Sequence, residues 1–134
     1  MKATLLATAM AFLMTTPVLA GPCGFDEAGR LVIKGYAIGA TAVPAEQKAR
    51  LTKFAETAKH RFGICIFAQV DATGSDEVNI KVAQARAANV RQFLASHGVP
   101  DDVMVNKKQD KAFTFFGLLS DDQANDRRVV VTHD

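Results

Sequence analysis

The sequence feature that most restricts the fold is a short apolar run at residues 64–70, ICIFAQV, between two segments of helical spacing. Only Gln69 in this run is polar. A nearly continuous apolar run of this length is typical of a central β-strand that is covered on both faces or nearly so. The sequence therefore predicts an α+β fold in which helices pack on one mixed sheet.

Two segments have the spacing of amphipathic helices. The first begins at Pro44, which suits the first turn of a helix, and ends before Gly63. The second begins after Ser75, a residue that can cap a helix, and runs to about Ser96. The apolar faces are Leu51, Phe54, Ala55, Ala58 and Phe62 in the first helix, and Ile80, Ala83, Ala87, Val90 and Leu94 in the second.

Further strands are predicted at residues 31–38, 103–105 and 127–132, which are rich in Val and Ile. The predicted order is then β-α-β-α-β-(irregular)-β. Residues 106–125 form the irregular part, because no periodicity assigns them to an element.

The first 20 residues have the layout of a secretory signal peptide. Lys2 precedes an apolar run at residues 5–13, and small or aliphatic residues lead to a cleavage site after Ala20. A buried N-terminal helix is the alternative. The prediction divides the chain into a signal peptide at 1–20, a tail at 21–29 and one folded domain at 30–134. The exported protein is expected in the periplasm, with outer-membrane association as a further expectation.

The charge balance and the cysteines restrict the class of partner. A formal net charge of +2 gives no reason to expect nucleic acid. Cys23 and Cys65 are the two cysteines, and in an oxidising compartment they most simply form a disulfide. That bridge would stabilise the fold by about 3 to 4 kcal/mol in the chain-entropy model. The alternative is two free thiols. Pro22 before Cys23 disfavours a lipid-attachment signal.

The segment after the apolar run carries two complementary charges. Asp71 ends the predicted strand, Gly74 permits a tight turn, and Arg86 lies on the following helix. Arg86 and Asn79 are seven residues apart, so they lie within about 20° of one helical stripe. A carboxylate and a guanidinium across a cleft could bind a zwitterion. An intramolecular salt bridge and a solvated Arg86 are the alternatives.

Two separated motifs resemble those of OmpA-like domains. The first is D-x-x-G-x-x-x-x-N-x-x-V-A-x-x-R-A-x-x-V at residues 71–90, and the second is NDRRVVV at residues 125–131. The resemblance implies an OmpA-like fold over about residues 31–132. It also implies noncovalent binding of peptidoglycan through the meso-diaminopimelate of its stem peptides.

The resemblance further implies which residues bind the ligand. Asp71 would accept the ammonium group of diaminopimelate, and Arg86 would hold its carboxylate. Asn79 would orient the loop, and Arg127 would lie near the site. The loop itself would contribute through Thr73 and Gly74.

The chain departs from the family pattern at several places, two of which lie in or next to the first motif. Residues 68–70 read AQV where Gly-His-Thr is usual, and Ala83 replaces a usual serine. The second hypothesis is therefore a protein-interaction module of the cell envelope that keeps the fold and has lost or changed its ligand. Its docking patch would be Phe113, Phe115 and Phe116, which could otherwise cover one end of the sheet.

Catalytic and metal-binding patterns are weak. His60, His97 and His133 have no metal-ligand spacing, and Cys65 lies inside a predicted core strand. We expect a binding protein, not an enzyme, with no cofactor and no metal site.

Overall fold

A computed structural model of the chain describes residues 23–24, 27–69, 75–107 and 127–134. Within these ranges the elements follow the predicted order β-α-β-α-β-β. The strands are β1 (Gly29–Ile33), β2 (Ile64–Gln69), β3 (Met104–Lys107) and β4 (Arg128–His133), and the helices are α1 (Lys48–Ala58) and α2 (Asp76–Ser96). Short 3-10 turns at Ala45–Gln47 and Asp101–Val103 precede α1 and β3. None of these helices is long and apolar enough to cross a membrane.

The four strands form one mixed sheet in the order β1-β4-β2-β3. β4 is antiparallel to both β1 and β2, whereas β3 is parallel to β2. All six residues of β2 are buried, which confirms its prediction as a central strand. The chain therefore has the predicted α+β architecture, with both helices packed against one sheet.

The core lies between the helices and one face of the sheet. Alternate residues of β2 and β4 point to this face, since side chains alternate along a strand. Fully buried aliphatic side chains fill the layer, and each stabilises the fold by about 1.5 to 3 kcal/mol. They are Ile33, Leu51, Ile64, Ile66, Val90, Leu94, Val129 and Val131.

Helix α2 begins and ends close to the predicted positions. The Ser75 hydroxyl oxygen accepts a hydrogen bond from the Val78 amide at 3.3 Å, which confirms the cap. Four members of the predicted apolar face are buried: Ala83, Ala87, Val90 and Leu94. The fifth, Ile80, is 42% exposed, so its assignment to the core was wrong. Ile80 lies on the second turn of α2 and lines an open cavity between the helix and the sheet.

Two predicted boundaries were wrong. Helix α1 ends at Ala58, so Phe62 lies beyond the helix and is 89% exposed instead of covering the core. Strand β1 ends at Ile33, five residues before the predicted end at Ile38. Gly35 has a φ of +88°, a left-handed conformation that interrupts extended backbone.

Cys23 and Cys65 form the predicted disulfide, with 5.9 Å between their Cα atoms. Cys65 pairs with Thr132 in the sheet, and both side chains lie on the face opposite the helices. The bridge therefore fixes the N-terminal part of the described chain on that second face. The predicted signal peptide lies outside the described residues.

Candidate functional site

The candidate site is built around an irregular loop at residues 36–41, which follows β1 and is called here the 36–41 loop. Its centre is a tight turn, in which the Ala40 amide donates to the Ala37 carbonyl at 3.0 Å. Gly39 has a φ of +72° within this turn, a conformation that L side chains rarely adopt. Carbonyl groups of an irregular loop have no strand partner, so they need other donors.

Arg86 of α2 supplies two of those donors. Its Nε donates to the Ala40 carbonyl at 2.7 Å, and its Nη2 donates to the Ala37 carbonyl at 3.1 Å. Arg86 is only 1% exposed, which is rare for a charged side chain. Hydrogen bonds from a charged donor offset part of the cost of burying that charge. Arg86 thus joins helix α2 to the loop.

Three more side-chain contacts complete the loop. The Arg86 guanidinium carbon lies 4.6 Å from the centre of the Tyr36 ring, within the range of a cation–π contact. Arg127, just before β4, donates from Nε to the Tyr36 carbonyl at 2.9 Å. Asn89 donates from Nδ2 to the Thr41 carbonyl at 2.9 Å. Four carbonyls of the 36–41 loop therefore accept bonds from side chains distant in sequence.

The Tyr36 side chain is 3% exposed. Burial raises the pKa of its phenol from 10.0 to about 12, while the nearby Arg86 charge has a smaller lowering effect. The phenol therefore stays neutral throughout the physiological range, and it presents the guanidinium with an uncharged aromatic face.

The structure brings together two of the predicted site residues. Arg86 and Arg127 both bind the 36–41 loop, and Asn79 lies half-buried near the start of α2. The remaining predicted site residues, Asp71, Thr73 and Gly74, lie outside the described residues. The pairing of Asp71 with Arg86 therefore stays a prediction.

Sequence reasoning missed Tyr36 and Asn89. The sequence pattern predicts Tyr36 inside the first strand, although Gly35 indicates that the strand ends before it. Asn89 follows Arg86 by three residues and thus shares its helix face. Arg86 and Asn89 both carry hydrogen-bond donors beside the apolar face of α2. This pattern could have indicated that acceptors pack against that part of the helix.

Three residues that depart from the family pattern, Ala68, Gln69 and Ala83, lie elsewhere in the structure, whereas Val70 lies outside the described residues. Ala68 and Ala83 are buried in the core and line a cavity of about 320 Å³ between α2 and the β3 end of the sheet. Gln69 accepts a bond from Arg128 Nε at 3.2 Å, and it lines the opposite face of the sheet. None of these three described residues contributes a hydrogen bond to the 36–41 loop.

The described ranges contain no group of three or more His, Cys, Asp or Glu side chains that could hold a metal ion. The chemistry of the described site consists instead of two guanidinium groups, backbone carbonyls and one aromatic face. Such groups can orient and bind a ligand without a metal or a nucleophile.

Comparison of the sequence with known protein families gives one match. The profile of the OmpA family matches residues 36–126, which begin at Tyr36 and include Arg86. The chain belongs to the OmpA family. Comparison with curated protein sequences finds no significant match. The family assignment rests on the profile, which covers more than half of the chain.

The structure is similar to that of the peptidoglycan-associated lipoprotein from Burkholderia pseudomallei, with a TM-score of 0.62 and 26% identity over 77% of this chain and 89% of that chain. The periplasmic domain of MotB from Helicobacter pylori is similar with a TM-score of 0.64 and 14% identity, over 82% of this chain and 75% of that chain. The cell wall anchor of the T6SS from Pseudomonas aeruginosa has a TM-score of 0.61 and 18% identity, covering 78% and 79%. The last two similarities concern the fold alone.

Proposed function

We propose that this OmpA-family protein binds peptidoglycan noncovalently in the periplasm, through the meso-diaminopimelate of the stem peptides. Arg86 would hold the ligand carboxylate, and Asp71 would accept the ammonium group. Asn79, Thr73, Gly74 and Arg127 would surround the ligand. Membership of the OmpA family and similarity to a peptidoglycan-associated lipoprotein support this function.

The observation that carries the proposal is the fixed orientation of Arg86. Two carbonyls and an aromatic ring hold its guanidinium in one plane. A guanidinium in a fixed plane loses little entropy when it binds a carboxylate through two parallel hydrogen bonds. Each charge-assisted bond contributes about 1.5 to 3 kcal/mol at best.

The burial of Arg86 sets a requirement for binding. At 1% exposure the guanidinium has almost no surface for a ligand. A ligand carboxylate therefore reaches the guanidinium only after a local rearrangement of the residues that cover it. The bonds from Nε and Nη2 to the 36–41 loop keep the group oriented meanwhile.

The burial of Arg86 also favours a second function. If Arg86 serves only to hold the 36–41 loop, the protein is an envelope interaction module that keeps the OmpA-like fold without the ligand. The docking patch predicted for that function, Phe113, Phe115 and Phe116, lies outside the described residues. Peptidoglycan binding requires diaminopimelate, whereas the interaction module does not.

Cosedimentation with purified sacculi tests the proposal. The wild-type protein should pellet with sacculi that contain meso-diaminopimelate. It should stay in the supernatant with sacculi that carry lysine at the same position, because lysine lacks the second carboxylate. Pelleting with both kinds of sacculi would indicate a different ligand. Pelleting with neither would favour the interaction module.

Two conservative variants test the site. Arg86→Lys keeps the charge and loses the planar fork, and Asp71→Asn keeps the shape and loses the charge. Each should lower the affinity for sacculi at least tenfold. Arg91→Lys is the matched control, because Arg91 lies on the same helix and binds Asp101 instead of the 36–41 loop. Equal affinity of all three variants would show that the site lies elsewhere.

Export is part of the proposed function. Residues 1–20 would be removed, so that the periplasmic protein begins at Gly21. Mass spectrometry of the protein from a periplasmic extract should give the mass of residues 21–134 with one disulfide. The mass of the full chain in that fraction would contradict the proposed cleavage.

A further inference from the structure

We infer that Tyr36 is the positioning residue of this site, which sets Arg86 and Arg127 in a fixed relation to each other; this inference rests on the proposed function. Tyr36 is in contact with both arginines, through two different parts of the residue. It would act through these side chains and need not touch the ligand.

The ring of Tyr36 orients Arg86. The guanidinium carbon lies 4.6 Å from the ring centre, and the carbonyls of Ala37 and Ala40 bind the edge of the same group. The carbonyls fix two N–H directions, and the ring occupies one face of the guanidinium. Together these contacts leave the guanidinium little freedom to rotate about its long side chain.

The backbone of Tyr36 orients Arg127. The Tyr36 carbonyl accepts from Arg127 Nε at 2.9 Å, although the two residues are 91 positions apart in the chain. A displacement of Tyr36 therefore moves an acceptor of Arg127 and the aromatic face beneath Arg86 at the same time. Two guanidinium groups linked in this way can present a fixed spacing to one anionic ligand.

The phenol oxygen has no part in this role. It is buried and makes no hydrogen bond with the described residues. The ring alone supplies the face against which Arg86 packs. The inference therefore predicts that phenylalanine can replace Tyr36, whereas an aliphatic side chain of similar size cannot.

Sacculus affinity of Tyr36→Phe and Tyr36→Leu tests the inference. Tyr36→Phe should bind within twofold of wild type, and Tyr36→Leu should bind at least tenfold more weakly. The matched control is Phe54→Leu, which removes another aromatic ring packed against the core, one in contact with His133. Phe54→Leu should bind like wild type. If Tyr36→Leu fails to fold, Tyr36→Met takes its place, since methionine fills an irregular space without an aromatic face.

Binding of Tyr36→Leu within twofold of wild type would overturn the inference, and so would a tenfold loss in Tyr36→Phe. An equal loss in Phe54→Leu would also overturn it, because the effect would then follow from general loss of stability. The comparison of variants applies when the wild-type protein binds sacculi. If the wild-type protein does not bind, the proposed function fails, and that result is distinct from a failure of this inference.

Hydrogen exchange at the Arg86 Nε proton gives a readout that needs no ligand. In wild type this proton is bonded to the Ala40 carbonyl and covered by the loop, so it should exchange slowly with water. Tyr36→Leu should exchange it at least tenfold faster, while Tyr36→Phe should leave the rate unchanged. An unchanged rate in Tyr36→Leu would show that the ring does not hold Arg86, whatever the protein binds.

Discussion

Helix α2 carries two arginines, five residues apart, that are held in different ways. Arg91 donates from Nε to the Asp101 carboxylate at 2.7 Å and from Nη2 to the Asp101 carbonyl at 2.8 Å. Its side chain is 26% exposed. Arg86 is almost fully buried and donates to the backbone carbonyls of the 36–41 loop.

The two arginines therefore differ in role: Arg91 makes a structural contact, whereas Arg86 is a candidate for contact with a ligand. The Asp101 carboxylate cancels the Arg91 charge, and hydrogen bonding from Arg91 holds the pKa of Asp101 below its usual range. The two carbonyl contacts of Arg86 fix the orientation of its guanidinium relative to the 36–41 loop. An oriented guanidinium can bind a carboxylate through two parallel hydrogen bonds, and this orientation supports the proposed role of Arg86.

The largest predicted effect is on stability when Arg86 is replaced by methionine. Arg86→Met removes the donor of the Ala40 carbonyl and one of the two donors of the Ala37 carbonyl, and it should lower the free energy of unfolding by about 2 to 4 kcal/mol. Urea unfolding of both proteins measures the loss. A change below about 0.5 kcal/mol would show that the loop contacts contribute little and would remove the contrast with Arg91.

Alkaline pH should destabilise the loop through Tyr36. Its pKa is about 12 in the folded protein and 10.0 as its ordinary value, so the folded state favours the protonated phenol. Stability from this group is complete below pH 10 and is lost as the pH rises from 10 to 12. The loss should reach roughly 2 to 3 kcal/mol.

The single tyrosine makes this titration easy to follow. Because the chain has one Tyr and no Trp, the ultraviolet absorbance of tyrosinate reports Tyr36 alone. Urea unfolding at several alkaline pH values, compared with Tyr36→Phe, isolates the change in stability. A titration midpoint near 10 in the folded protein would contradict the burial of the phenol beside Arg86.

The smallest effect is predicted for Arg91→Met. Its contact with Asp101 is exposed to solvent, and exposed ion pairs contribute little to stability. The loss should be smaller than that of Arg86→Met. It should also shrink as the pH falls below 3.8, the ordinary pKa of Asp101, because the folded-state pKa is lower and protonation ends the pairing. A loss equal to that of Arg86→Met, measured by the same urea unfolding, would break the comparison.

Local patterns predicted the elements of the fold because their causes are local. The apolar run of β2, the Ser75 cap and the seam of α2 each depend on residues near one another in sequence. The prediction of Arg86 as a site residue came from motif spacing. Its lack of exposure could not be predicted, because the acceptors lie 46 and 49 positions away. Gly35 was the one local sign that β1 ends before Tyr36.

The most direct test of the central claim follows the Arg86 and Arg91 side chains in one experiment. NMR signals of both Nε–H groups are recorded while a stem peptide that contains meso-diaminopimelate is added. The Arg86 signal should shift and then saturate as the ligand carboxylate binds the guanidinium, and the Arg91 signal should stay in place. A stationary Arg86 signal, at peptide concentrations well above those at which sacculi are bound, would contradict the claim.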